Sequence, residues 1–97
     1  MSYYVYVYLD PRKEPFEKNG FSFEHEPFYI GKGAFDRKTF HLFEARNLSK
    51  HNHKVNKIRA IFKQGLKPKI TIAFDGLTET EAFELERDLI KAIGRNN

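Results

Sequence analysis

Phosphodiester cleavage needs a group that activates water, a cation or guanidinium on the phosphate, and usually a metal held by a carboxylate. Tyr6, Tyr29, Lys32, Arg37, His41 and Glu86 offer those residue types within one chain of 97 residues. Their positions relative to the hydrophobic pattern set them apart from ordinary surface groups. In the first strand Tyr4, Tyr6 and Tyr8 fall on one side and Val5, Val7 and Leu9 on the other. Tyr29 alternates with Phe28 and Ile30 in the same way, so paired strands would present both hydroxyls on one face. The plainer reading is aromatic packing against a helix, with the hydroxyls bonded at its edge. Gly31, directly after Tyr29, allows a backbone or ligand to approach closely. Lys32 and Arg37 follow, and His41, four residues beyond Arg37, shares its helical face.

Glu86 is the odd residue of the closing helix. At about 100° per residue, Ala82, Phe83, Leu89, Ile90 and Ile93 fill an arc of roughly 120° with Glu86 at its centre. Desolvation should exclude a carboxylate from such a stripe unless something pairs with it. A buried ion pair to Arg or Lys and a metal ligand at the floor of a site both meet that condition. Glu79, Glu81, Glu84 and Asp88 lie nearer the edges and read as solvated acids. Two apparent motifs carry nothing. Gly31-Lys32-Gly33 lacks the spacing of a phosphate-binding loop. His51-Asn52-His53 reads as an exposed helix start, with no partner at finger-like spacing for zinc.

The elements that must position these groups fit one small domain, residues 1–97, with an inserted connection at about 11–26. The length excludes a doubly wound dinucleotide-binding enzyme, a barrel or a separate lid domain. A strand over Tyr3–Leu9 ends at Asp10-Pro11. The charged connection carries Asn19-Gly20, a hairpin signal, and Phe16, Phe21 and Phe23 as anchors. A short strand, Phe28–Ile30, stops at Gly31-Lys32-Gly33. Two helices are predicted next: Arg37–Leu48, with Phe40, Phe43 and Leu48 inward, and Lys50–Gln64, with Val55, Ile58, Ile61 and Phe62 on one side. Ile70, Ile72 and Phe74 alternate in a third strand closed by Asp75-Gly76. Thr78 and Glu81 then form a capping box for a helix to Ile93, stopped by Gly94. The order β-β-α-α-β-α predicts an α+β fold, a three-stranded antiparallel sheet flanked by helices.

Charge is unevenly spread. The formal net charge is +4, yet residues 37–69 hold ten Lys or Arg and one acid, Glu44. That segment carries +9, leaving −5 for the rest. A polyanionic partner and a merely solvated helix face are both consistent with it. Lys38, Arg46, Lys50, Lys54, Lys57 and Lys63 are the candidate nucleic-acid contacts. No cysteine is present, so there is no disulfide framework and no Cys-ligated zinc. The first residues lack the basic start and cleavage site of a signal peptide, and no apolar run approaches ~20 residues. No membrane association is expected; a soluble, intracellular protein is, cytoplasmic if bacterial or phage.

Together these residues resemble the GIY-YIG nuclease family. Tyr29-Ile30-Gly31 is the second half-motif, and Tyr4-Val5-Tyr6 stands where Gly-Ile-Tyr is usual. Arg37 and His41 match the arginine and the His or Tyr one turn later, and Glu86 matches the glutamate of the last helix. Asp10-Pro11-Arg12, Phe28-Tyr29-Ile30-Gly31-Lys32-Gly33 and Ile93-Gly94-Arg95 resemble the subgroup of LEM-domain and ankyrin-repeat nucleases and their bacterial relatives. The resemblance implies a metal-dependent DNA endonuclease of low intrinsic sequence specificity, working with one Mg²⁺ or Mn²⁺. Glu86 would hold the metal, Tyr6 or Tyr29 would position or deprotonate water with help from His41, and Arg37 and Lys32 would stabilise charge. A tyrosine acting as base needs its pKa of ~10 depressed by a neighbouring cation, Arg37 or Lys32. The chain departs from the family in its first glycine, in the long spacing between half-motifs, and in an asparagine whose only counterparts are Asn96-Asn97. The last point implies a truncated or minimal form. Targeting would come from a separate domain or an oligomer partner. A catalytically silent nucleic-acid-binding module and a domain that binds another protein are the competing readings.

Overall fold

Strict alternation in one strand organises the molecule. The structure, a computed structural model, describes residues 2–47 and 49–94. Strand β1 (Tyr3–Asp10) lies at the centre of a sheet ordered β4-β1-β5, with β4 at Glu26–Gly33 and β5 at Lys69–Leu77. Both pairings are antiparallel. A 3₁₀ turn at Arg37–Thr39 leads into α1 (Phe40–Arg46), followed by α2 (His53–Lys63) and, after β5, α3 (Glu79–Ile93). The α+β fold with a three-stranded antiparallel sheet is therefore as predicted.

The core forms two layers. Tyr4, Tyr6 and Tyr8 pack with Phe28 beneath α1 and α2, against Ala45, Val55, Ile58 and Ile61. Val5, Val7 and Leu9 pack with Ile30 on the other face, against Ala82, Leu89 and Ile93 of α3. The inserted connection holds its own hairpin, β2 (Phe16–Lys18) and β3 (Phe21–Phe23). Asn19 and Gly20 turn it with positive φ, the signature of a tight two-residue hairpin. Phe16, Phe21 and Phe23 anchor it on the α3 layer.

Several local expectations change. β4 continues through Gly31-Lys32-Gly33, because Tyr6, Val5 and Tyr4 of β1 pair with those three residues. The segment after it begins as a 3₁₀ turn with three residues per turn, which shifts the phase of the helix that follows. His41 and Ala45 consequently point inward, while Phe40 and Phe43 are exposed at 46% and 62%. Leu48, also predicted inward, lies outside the described residues. β5 runs on through Asp75-Gly76, and its register with β1 slips between Val5 and Tyr6. Such a slip flips the side chains beyond it. Phe74 accordingly joins the α3 layer while Ile70 stays with the tyrosine layer, and Ile72, opposite Tyr6 on this edge strand, is 40% exposed. Helix α2 begins at the Asn52 cap, whose side chain accepts from Val55 N–H, rather than at Lys50. The capping box at Thr78 and Glu81 forms as predicted. On α3 the buried line is Ala82, Leu89 and Ile93, with Leu85 beside it and Phe83 53% exposed. Glu86 thus stands about 40° off the centre of the buried face, half-buried at its flank.

Candidate active site

Each tyrosine of the inward row on β1 reaches across to the chain just beyond β4. The Tyr4 hydroxyl donates to the Phe35 carbonyl at 2.6 Å and accepts from the Lys38 N–H at 3.0 Å. The Tyr8 hydroxyl donates to the Lys38 carbonyl at 2.5 Å. Between them the Tyr6 hydroxyl lies 2.7 Å from Nε2 of His41. This ladder clamps the segment that carries Arg37 and His41. Tyr4 thereby positions the start of the Arg37 turn. The same clamp accompanies a left-handed backbone at Phe35, φ 54°, unusual for a bulky residue.

Gly31 has a mechanical reason to be glycine. A Cβ there would stand 2.5 Å from the Tyr6 hydroxyl oxygen, well inside any real contact. At Gly33 a Cβ would collide with the Arg37 side chain. Tyr29 completes the cluster: its ring centroid is 4.7 Å from that of His41 and 6.3 Å from that of Tyr6. The structure therefore brings Tyr6, Tyr29 and His41 together on one face. The Arg37 guanidinium is exposed and rests 4.8 Å from the Phe40 ring centre, with its charge felt at both Tyr6 and His41.

His41 is 2% exposed and held on both sides. Its Nδ1 is 2.6 Å from Oε1 of Glu44. A carboxylate only accepts, so at that distance Nδ1 carries the proton, and in the neutral ring Nε2 is then the acceptor for the Tyr6 hydroxyl. The Lys54 ammonium, 2.8 Å from Nδ1 and 3.2 Å from Glu44 Oε1, then bonds to Glu44 and stacks over the Tyr29 ring at 4.8 Å. Burial pushes the His41 pKa below its usual value, although Glu44 works the other way. Burial acts to raise Glu44, but the bonds from His41 and Lys54 outweigh it and hold the carboxyl below its usual range. The Tyr6 hydroxyl is pushed far up, first by burial and then by Tyr29, against a downward pull from Arg37. A tyrosine pKa depressed by a cation is therefore not what the structure gives. Tyr6 keeps its proton unless His41 takes it.

The remaining candidates fall elsewhere. Lys32 pairs with Val5 in the β1–β4 register, so it faces the α3 side. α3, which carries Glu86, packs on that same side, opposite Tyr6, Tyr29 and His41. The two sets therefore lie on opposite faces of the sheet. Among the described residues no group of three or more His, Asp or Glu could hold a metal ion. A divalent cation would find a single carboxylate here, Glu86, and magnesium accepts a site with so few protein ligands.

The candidate phosphate contacts divide as well. Lys50 and Lys63 are exposed. Lys38 lies 5.3 Å from the Tyr4 ring centre, and Arg46 is near both Phe43 and Phe62. Lys57 stands 3.9 Å from buried Asp10, which Arg12 grips with two side-chain bonds, and 5.5 Å from the Phe28 ring centre. Arg59 is structural, donating to the Ala45 and Asn47 carbonyls that end α1. Glu44, the single acid among ten bases and one turn beyond His41, carries no role in the sequence pattern beyond its charge. Asn96 and Asn97 lie outside the described residues.

A tyrosine from each of two paired strands, a glycine cleared for one of them and a histidine on the following helix define a GIY-YIG nuclease-type fold. The LEM-3-like GIY-YIG domain model matches residues 3–97, and the chain belongs to that family. No curated protein and no solved structure matches it. Among the described residues no helix is long and apolar enough to cross a membrane.

Proposed function

We propose that this domain is a metal-dependent DNA endonuclease that hydrolyses phosphodiester bonds with little sequence preference of its own. Membership of a nuclease-type family makes nucleic acid the substrate class. The hydrogen bond between Tyr6 and His41, beside Tyr29 and Gly31, is the observation that carries the reading. It supplies a path for a proton from the attacking water, the difficult part of hydrolysis at neutral pH. The exposed Arg37 guanidinium is suited to the charge that develops on the phosphate oxygens. Glu86 would hold Mg²⁺ or Mn²⁺, with Lys32 on the same side of the sheet supporting the phosphate. A bound divalent ion supplies Lewis-acid stabilisation of the phosphate and of the leaving 3′ oxygen. Lys38, Arg46, Lys50 and Lys63, with Lys54 and Lys57 nearer the rings, would follow the backbone by charge and leave base sequence unread. Selection of the cutting site then belongs to an attached domain or an oligomer partner.

A second reading, a module that binds nucleic acid without cutting it, is favoured by α3 packing on the face opposite Tyr6. Nicking of supercoiled plasmid with Mg²⁺ or Mn²⁺, wild type beside Glu86→Ala, separates the two. Metal-dependent nicking by the wild type alone supports the endonuclease. Equal background in both, together with DNA binding that weakens steeply with salt, supports the silent module.

A further inference from the structure

The His41 tautomer depends on a residue the family pattern does not name. We propose that Glu44, backed by Lys54, is a positioning residue that makes His41 the proton acceptor for Tyr6, giving a Tyr6–His41–Glu44 relay. The inference rests on the endonuclease reading above and deepens it. Its ground is geometric. Glu44 Oε1 is 2.6 Å from Nδ1, Nε2 is 2.7 Å from the Tyr6 oxygen, and no described buried side-chain polar atom lacks a partner.

Every charged or titratable group around the His41 ring bears on this choice. Tyr6 and Tyr8 face it from β1, Tyr29 from β4, Arg37 from the 3₁₀ turn, Glu44 from its own helix and Lys54 from α2. Among the described residues around the ring, Glu44 alone is an anion. Arg37 and Lys54 both oppose a second proton on the ring, so without Glu44 the imidazolium would have no compensating charge. Lys54 adds a directional threat, because its ammonium lies 2.8 Å from Nδ1. With Glu44 gone it would donate there and drive the ring proton to Nε2. That tautomer meets the Tyr6 hydroxyl with an N–H and accepts nothing.

In the relay, a water O–H bond breaks as its oxygen adds to phosphorus, and that proton passes to the Tyr6 oxygen. The Tyr6 proton moves at the same time to Nε2 of His41. The imidazolium, now carrying protons on both nitrogens, is held by the Glu44 carboxylate. The bond from phosphorus to the 3′ oxygen breaks, the leaving oxygen takes a proton from solvent, and His41 returns its own to solvent. One water is consumed. Neither Glu44 nor Lys54 touches the phosphate.

The test is long-range ¹H–¹⁵N correlation of the His41 ring in the metal-free protein, run beside the pH–rate profile for plasmid nicking. The wild type should show Nδ1 protonated and Nε2 bare. Glu44→Ala should move the proton to Nε2 and lower the rate by about 10²-fold or more, as expected when a general base is held in the wrong tautomer. Glu44→Gln still accepts from Nδ1 but has no charge. It should keep the tautomer, lose roughly ten-fold in rate and shift the acid limb of the profile to lower pH. A nicking wild type whose Glu44→Ala spectrum and pH profile are unchanged overturns the relay alone. A wild type that nicks nothing overturns the endonuclease reading, and the relay's part in hydrolysis with it, whatever tautomer the spectrum reports.

Discussion

The two faces of one strand differ in kind. On the side of α1 and α2, β1 presents Tyr4, Tyr6 and Tyr8, three rings whose hydroxyls are all spent on hydrogen bonds to residues 35–41. On the side of α3 it presents Val5, Val7 and Leu9, which pack among aliphatic and aromatic side chains. The first face holds groups in place by direction, and the second holds the sheet together by area. Substitutions should therefore separate: damage to the α3 face lowers stability, and damage to the tyrosine face alters proton handling.

Leu89→Ala is the largest expected break in stability. It removes a fully buried side chain from the α3 layer and should cost about 2–5 kcal/mol in denaturant unfolding. The nicking rate per folded molecule should stay within a few-fold of the wild type. Gly31→Ala sharpens the comparison from the other side. Its Cβ meets the Tyr6 hydroxyl, so the ring must move, at a cost of about 1–3 kcal/mol. Here the rate should fall by more than the loss of folded protein accounts for, because the Tyr6–His41 bond is disturbed.

The pH response is the smallest effect and belongs to the tyrosine face. His41 has a folded pKa below its unfolded value, so the native state binds fewer protons than the unfolded one. Its contribution to stability is complete above about pH 6.5 and is lost as the pH falls through the depressed folded value. Glu44, also depressed, adds a loss in the carboxylate range below that. Chemical denaturation at pH 7.5 and pH 5.5 should show the decline in the wild type. His41→Asn should flatten it.

Much of this was legible in the residues. The alternation of Tyr3–Leu9, the capping box at Thr78 and Glu81, the Asn19-Gly20 hairpin and the element order all follow from local rules that tertiary packing leaves alone. Phe40 and Phe43 turn outward because a 3₁₀ turn shifts helical phase, and nothing in Arg37–Thr39 announces one. Phe74 leaves the face of Ile70 and Ile72 because a bulge reverses β5 between Ile72 and Phe74, and a bulge depends on the partner strand. The chemical cluster was half visible. Tyr6 and Tyr29 are placed on one face by alternation, and His41 joins them only as the family resemblance implies. That the Tyr6 pKa rises rather than falls depends on burial, which spacing does not report. Glu44 needed the structure to bring its carboxylate to Nδ1.

On the proposed endonuclease reading, Tyr6 from one face of the sheet and Glu86 from the other would serve a single reaction. A double-substitution cycle in the plasmid-nicking assay examines that pairing. Tyr6→Phe and Glu86→Gln should each lower the metal-dependent rate by about 10²-fold or more. If both act on the same phosphate as one unit, the double variant should be no more than a few-fold below the weaker single variant. A Glu86→Gln protein that nicks at the wild-type rate, or a double variant whose loss is the product of the two single losses, would contradict the account.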